Sequence, residues 1–133
     1  MKIRSGIDII QVSRMEEALA RDRGSFKDRI FTGYEQEDTM KISSPSKRAE
    51  SFAGRFAAKE ACAKALGTGI MTAGIGLTDL EIRKDDKGMP YPVFGGAALE
   101  RSREIRVISS SVSISHDGGC AVAVCTLLTD EEE

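Results

Sequence analysis

From Ser44 to Gly67 the chain reads as one uninterrupted helix, and no other segment constrains the fold as strongly. Ser44 can cap it, Pro45 takes the favoured first helical position, and no helix stop intervenes before Gly67. The segment makes about six turns. At 100° per residue with Phe52 at zero, Leu66, Ala63, Phe56, Ala49 and Ala53 fall between roughly −40° and +100°. Glu60 falls at about 80°, inside this apolar arc, and Lys64 at its edge near about 120°. A carboxylate on a core-facing stripe is costly unless a cation, a metal or hydrogen bonds compensate it. Two readings follow: an i, i+4 salt bridge to Lys64 on a partly wetted face, worth about 0.3 to 0.5 kcal/mol, or a metal-binding or catalytic role.

Around this helix the pattern alternates between strand and helix signals. Met1 to Ile10 has a two-residue period through Ile3, Ser5, Ile7 and Ile9, with Asp8 out of place in the apolar run. Ser13 and Glu16 fit a capping box for a helix to about Ala20. Ser25 with Asp28, and Thr32 with Glu35, mark helix starts for Phe26 to Phe31 and Tyr34 to Ile42. After a glycine-containing loop, Leu77 to Lys84 reads as a strand and Met89 to Phe94, with two prolines, as an edge strand. A short helix from Ala98 to Arg103 follows, then a terminal hairpin of Arg106 to His116 and Cys120 to Leu128 around Asp117-Gly118-Gly119. No internal repeat is visible. The expectation is a compact α+β single domain over residues 1–133, its long central helix packed on antiparallel sheet.

The chain has 133 residues, enough for one hydrophobic core. A net charge of −2 argues against a general nucleic-acid binder, and no apolar run approaches membrane-spanning or signal length, so a cytoplasmic protein without membrane association is expected. Cys62, Cys120 and Cys125 match no zinc spacing and read as reduced thiols.

Asp8 at a strand end and Glu60 on the helix are the pair of carboxylates that a hard cation such as Mg²⁺ accepts, with waters and substrate phosphates completing its shell. Asp8 reads equally well as a turn residue bonding backbone N–H groups. His116, the only histidine, stands beside a turn and near serines 109, 110, 111, 113 and 115; structural and phosphate-binding readings are both open, while a serine triad lacks its nucleophile elbow. Gly67-Thr68-Gly69 leaves backbone open to a phosphate, although an ordinary glycine cap explains Gly67 as well. Arg14 and Arg21 lie seven apart and share one helix face.

Three runs in this order, Gly6-Ile7-Asp8-Ile9, then Phe52 to Ala61 with Lys64, Ala65 and Gly67-Thr68-Gly69, then Ser113-Ile114-Ser115-His116, resemble the signature motifs of the holo-acyl-carrier-protein synthases, the 4′-phosphopantetheinyl transferase family. The segment from Ile82 to Tyr91, with Gly88 and Pro90, resembles that family's central hairpin. The resemblance implies Mg²⁺-dependent transfer of the phosphopantetheine of coenzyme A to a carrier-protein serine, releasing adenosine 3′,5′-bisphosphate. It implies Asp8 and Glu60 as metal ligands, Glu60 or a water it holds as base, and Lys64 beside the leaving nucleotide. It also implies Lys47, Arg55, Lys64, Gly67, Gly69 and His116 around coenzyme A, Arg14 and Arg21 docking an acidic helix of the acyl carrier protein, and a homotrimer with sites between subunits. Asp117 departs from the family pattern and would oppose a 3′-phosphate. A metal-dependent phosphodiesterase or nucleotide hydrolase, and a non-catalytic coenzyme A-binding module, are the competing readings of the same residues.

Overall fold

The computed structural model describes residues 1–21, 24–68 and 74–132. In chain order it has β1 (Lys2–Gln11), α1 (Val12–Arg21), α2 (Ser25–Ile30), α3 (Gly33–Met40), α4 (Pro45–Leu66), a 3₁₀ turn (Leu77–Asp79), β2 (Leu80–Lys84), β3 (Pro90–Phe94), α5 (Gly96–Glu104), β4 (Val107–Asp117) and β5 (Cys120–Thr129). Strands β1, β5 and β4 form an antiparallel sheet in that order, and β2 pairs antiparallel with β3 in a separate ribbon. No helix of the described residues is long and apolar enough to cross a membrane.

Helix α4 has the expected bounds because both ends are capped chemically. The Ser44 hydroxyl accepts from the Lys47 amide, and Gly67 closes the last turn at φ 81°, a left-handed conformation suited to glycine. Thr32 and Glu35 form a complete capping box on α3. Helix α2 differs from expectation: Gly24, not Ser25, precedes it and no side chain caps it. The first three residues of the expected strand from Leu77 form the 3₁₀ turn, closed by the Asp79 carboxylate accepting from the Gly76 amide.

Two buried clusters share α4. Its C-terminal half packs Ala58, Ala61, Cys62, Ala65 and Leu66 against Ala123, Cys125 and Leu127 of β5 and Leu80 and Ile82 of β2. Its N-terminal half packs Ala49, Phe52 and Ala53 against Val12, Met15 and Phe31. Small residues let the sheet come close, and at Gly6 the approach is closest. A Cβ there would lie 2.0 Å from the Ala61 carbonyl oxygen and 2.8 Å from Lys64 Cβ. Strand β1 therefore turns Arg4, Gly6, Asp8 and Ile10 toward the helix and leaves Ile3, Ile7 and Ile9 facing out, 72%, 61% and 66% exposed. The isoleucine face of the alternation is the outer face because only the glycine side can meet α4.

A polar network is buried between α3, α4 and β2. Lys59 and Glu35 are both fully buried and paired at 2.5 Å, and Lys59 also donates to the carbonyls of Leu77 and Leu80. Glu35 accepts from the amides of Thr32 and Ile82. Burial pushes the Lys59 ammonium pKa down, against the pull of Glu35.

Two outcomes test these packing arguments. Gly6→Ala should lower stability by about 1 to 3 kcal/mol or more, through forced separation of β1 from α4; a denaturant midpoint equal to that of the parent protein would contradict the close approach. Lys59→Met, which strands a buried carboxylate, should cost roughly 3 to 5 kcal/mol, while Glu35→Leu combined with Lys59→Met should recover most of that loss; equilibrium unfolding of both variants checks the difference.

Candidate active site

The first cleft has a volume of about 890 Å³ and is lined by Asp8, Gln11, Arg14, Arg21, Phe56 and Glu60, among others. The close approach at Gly6 aligns β1 with α4, so Asp8, two residues along on the same strand face, lines the same cleft as Glu60 and lies within its electrostatic reach. Burial, and then the negative charge of Asp8, raise the Glu60 pKa above the ordinary glutamate value, with Lys64 pulling the other way. Lys64 does not pair with Glu60. Its ammonium lies 3.4 Å from Asp8 Oδ1 and donates to the Ile7 carbonyl at 2.9 Å, and its side chain is half exposed, so this contact is worth less than about 1 kcal/mol. Of the two sequence readings of Glu60, the i, i+4 salt bridge is thus absent.

Two hard oxygen donors of like negative charge, with open space beside them, suit a Mg²⁺-type ion, which takes few protein ligands. Among the described residues no group of three or more His, Cys, Asp or Glu is placed to hold an ion, so a closed site of the structural zinc type is not built here. Asp8 and Glu60 are the residues that fit a divalent cation, with its remaining positions left to water and phosphate.

The second cleft, of about 330 Å³, lies between α4 and the β2–β3 hairpin, with β4 at its side. Lys47, Ser51, Gly54 and Arg55 of α4 meet Lys84, Gly88 and Pro90 of the hairpin region and Ile114 and His116 of β4. Gly54, inside the helix, is explained by this packing: a Cβ would lie 2.9 Å from Ile114 Cγ2 and 3.0 Å from His116 Nε2. His116 Nε2 is 2.8 Å from the Glu50 carbonyl, which orients the exposed ring against α4. Asp117, next in the strand, belongs by alternation to the opposite face and does not line this cleft.

Lys47 and His116, expected together, are brought together. Arg55, which the resemblance places around coenzyme A, lines this cleft but turns its guanidinium inward. It is 1% exposed and donates to the carbonyls of Ile82 and Glu35, to Thr39 Oγ1 at 2.6 Å and to Asp38 Oδ2 at 2.7 Å, four bonds from a group with five N–H donors. Its guanidinium is turned into the protein because those acceptors surround it, and it forms the wall of the cleft. Arg14 and Arg21 both line the first cleft, as their shared helix face requires. Gly67 sits against Arg4, whose Nη1 would be 2.6 Å from an added Cβ, and acts as a cap. Gly69 lies outside the described residues.

The sequence reading omitted Lys84 and Ser51. Lys84 reaches the second cleft from a hairpin remote in sequence, with only the basic pair Arg83-Lys84 as a signal. The Ser51 hydroxyl is buried in the wall with no hydrogen-bond partner.

The two clefts share no lining residue. Asp8 is on β1 and His116 on β4, with β5 between them. Around α4, Gly54 and Glu60 are separated by about 120°.

The family model for the 4′-phosphopantetheinyl transferase superfamily matches residues 4–125. A holo-[acyl-carrier-protein] synthase of Trichlorobacter lovleyi is 42% identical over 119 residues, covering 89% of this chain and 90% of the relative. The Helicobacter pylori holo-[acyl-carrier-protein] synthase, crystallised with coenzyme A, has a TM-score of 0.79 at 33% identity, over 93% of this chain and 99% of its own. That from Bacillus anthracis, in complex with CoA (3′,5′-ADP), has a TM-score of 0.75 at 37% identity, over 93% and 94%. With the superfamily match running over most of its length and relatives near 40% identity, the chain belongs to the 4′-phosphopantetheinyl transferase superfamily and, within it, to the holo-[acyl-carrier-protein] synthases.

Proposed function

We propose that this chain, acting as one cytoplasmic domain, transfers the 4′-phosphopantetheine group of coenzyme A to a serine of an apo-acyl carrier protein, with Mg²⁺ held by Asp8 and Glu60. The observation that carries this reading is the meeting of those two carboxylates in a cleft that also holds Arg14 and Arg21, in a chain of this family. The coenzyme A bound to the Helicobacter pylori synthase supports the same substrate here. The carrier serine Oγ attacks the phosphorus bearing the pantetheine, the bond from that phosphorus to the bridging oxygen breaks, and adenosine 3′,5′-bisphosphate leaves. Asp8 and Glu60 would hold Mg²⁺, which would supply charge neutralisation on the pyrophosphate oxygens. Glu60, or a water it holds, takes the serine proton. Lys64, half exposed and held only by Asp8 and a carbonyl, is free to swing to the departing oxygen and offset or protonate its charge. Arg14 and Arg21 dock an acidic helix of the carrier protein beside this chemistry, an attraction that added salt weakens.

Lys47 and His116 serve the nucleotide end of coenzyme A, against the wall that the inward-turned Arg55 forms. Because the carboxylate cleft and the Lys47–His116 cleft lie on different faces of one chain, a substrate using both bridges two copies. The outward isoleucines of β1, with Val124 of β5 and Ile108 of β4, supply an apolar face to bury between them. The count of three comes from the family resemblance.

The deciding measurement is the mass of an apo-carrier protein after incubation with this chain, coenzyme A and Mg²⁺: one phosphopantetheine is added in the presence of the metal, and an unchanged mass overturns the reading. Glu60→Gln should abolish that gain while the protein stays folded. The same variant should melt higher than the parent in metal-free buffer at neutral pH. The sign follows from the raised Glu60 pKa: a carboxyl that binds its proton more tightly when folded loses stability as pH rises through the raised value, and glutamine removes that loss. The gain in melting temperature should therefore vanish in acid. Ile7→Lys should reduce the mass seen in sedimentation from oligomer to monomer; an unchanged oligomer would exclude the outer sheet face as the interface.

A further inference from the structure

The β2–β3 ribbon has only two strands, which seldom hold their place without support. Its support is the core packing of Leu80 and Ile82 together with the buried polar network, and most of that network lies deep. Glu35 and Lys59 fix the root of the ribbon at Leu77, Leu80 and the Ile82 amide. Arg55 holds the next point outward, through Nε to the Ile82 carbonyl. Beyond it the hairpin carries Lys84, Gly88 and Pro90 over Lys47, Ser51 and Gly54 of α4, so the Arg55 grip on β2 lies between the root of the ribbon and the part that walls the second cleft.

Arg55 is in turn held from outside. Asp38 of α3 accepts from Nη2 at 2.7 Å, with its carboxylate about one third exposed while the guanidinium is sealed. The Arg55 hydrogen bond, and more weakly the charge of Lys84, keep Asp38 below the ordinary aspartate range. Asp38 thus faces Arg55 on its inner side and Lys84 and Lys41 within electrostatic reach, and it lines neither cleft.

We infer that Asp38 is a positioning residue: by fixing Arg55 on the Ile82 carbonyl it holds the β2–β3 hairpin at the spacing from α4 that admits the nucleotide end of coenzyme A. This rests on the proposed transfer activity and adds a residue that touches neither substrate nor metal. Arg55 then acts through its inward bonds, and Lys47 and Lys84, facing each other across the cleft with no ion pair within 4 Å among the described residues, are the cations left for an anionic group.

The test is steady-state transfer, read by carrier-protein mass, for the parent, Asp38→Ala and Asp38→Asn. Loss of one charge-assisted hydrogen bond of positioning should raise the KM for coenzyme A about tenfold in Asp38→Ala, with kcat and the KM for carrier protein within about twofold. Asp38→Asn, which keeps an acceptor oxygen, should recover most of the loss. Amide hydrogen exchange over residues 82–94 should quicken in Asp38→Ala and return toward the parent rate in Asp38→Asn. An unchanged KM for coenzyme A in Asp38→Ala overturns the inference, as does a loss spread equally over kcat and both KM values, which marks general destabilisation. Parent protein that adds no mass to the carrier overturns the transfer reading instead, so the two failures are distinct.

Discussion

The contact between β1 and α4 at Gly6 governs the rest of the molecule. Helix and sheet usually keep a side-chain layer between them, and here that layer is absent at one point because the strand has a glycine where the helix has alanines. The pleat then decides the neighbours: if Gly6 faces the helix, so do Arg4 and Asp8, and the isoleucines between them cannot. One steric fact thus places a carboxylate beside Glu60 and leaves an apolar sheet face without cover. The proposed metal site and the proposed subunit interface are two results of the same register.

The second constraint is the buried network of Glu35, Lys59, Arg55, Thr39 and Asp38. An apolar substitute of the same volume would often be as stable, so such networks are better understood as fixing geometry than as adding stability. The geometry fixed here is the attachment of a two-stranded ribbon to the central helix. Each face of α4 thereby carries a different task. One receives β1 and presents Glu60, another receives the ribbon through Lys59 and Arg55, and the flank between Lys47 and Gly54 meets His116.

Much of this was legible because it is local. The ends of α4 follow from Ser44, Pro45 and Gly67, and α3 follows from Thr32 and Glu35, since caps act within one turn. Glu60 stood out because 100° periodicity puts a carboxylate among apolar side chains, and Asp8 because it interrupts an apolar strand. Other features were hidden by distance in sequence. Lys64 finds Asp8, 56 residues away, in place of Glu60 one turn away. Arg55 stands in a motif whose resemblance implies contact with coenzyme A and proves to be sealed, because its acceptors come from α3 and β2. Lys84 has no motif at all, and reaches its cleft only because the hairpin folds over α4.

The sequence by itself determined most of the element types, the caps of the long helix, the antiparallel hairpins and the residue types available for chemistry, all of which depend on neighbours a few positions apart. Tertiary structure alone decided which face of β1 is inward, which partners Lys64 and Arg55 take, and that the carboxylate cleft and the Lys47–His116 cleft lie on different faces of one chain. These depend on which surfaces approach closely enough to exclude a side chain or to surround a charge, and that is a property of the packed elements together, not of any segment.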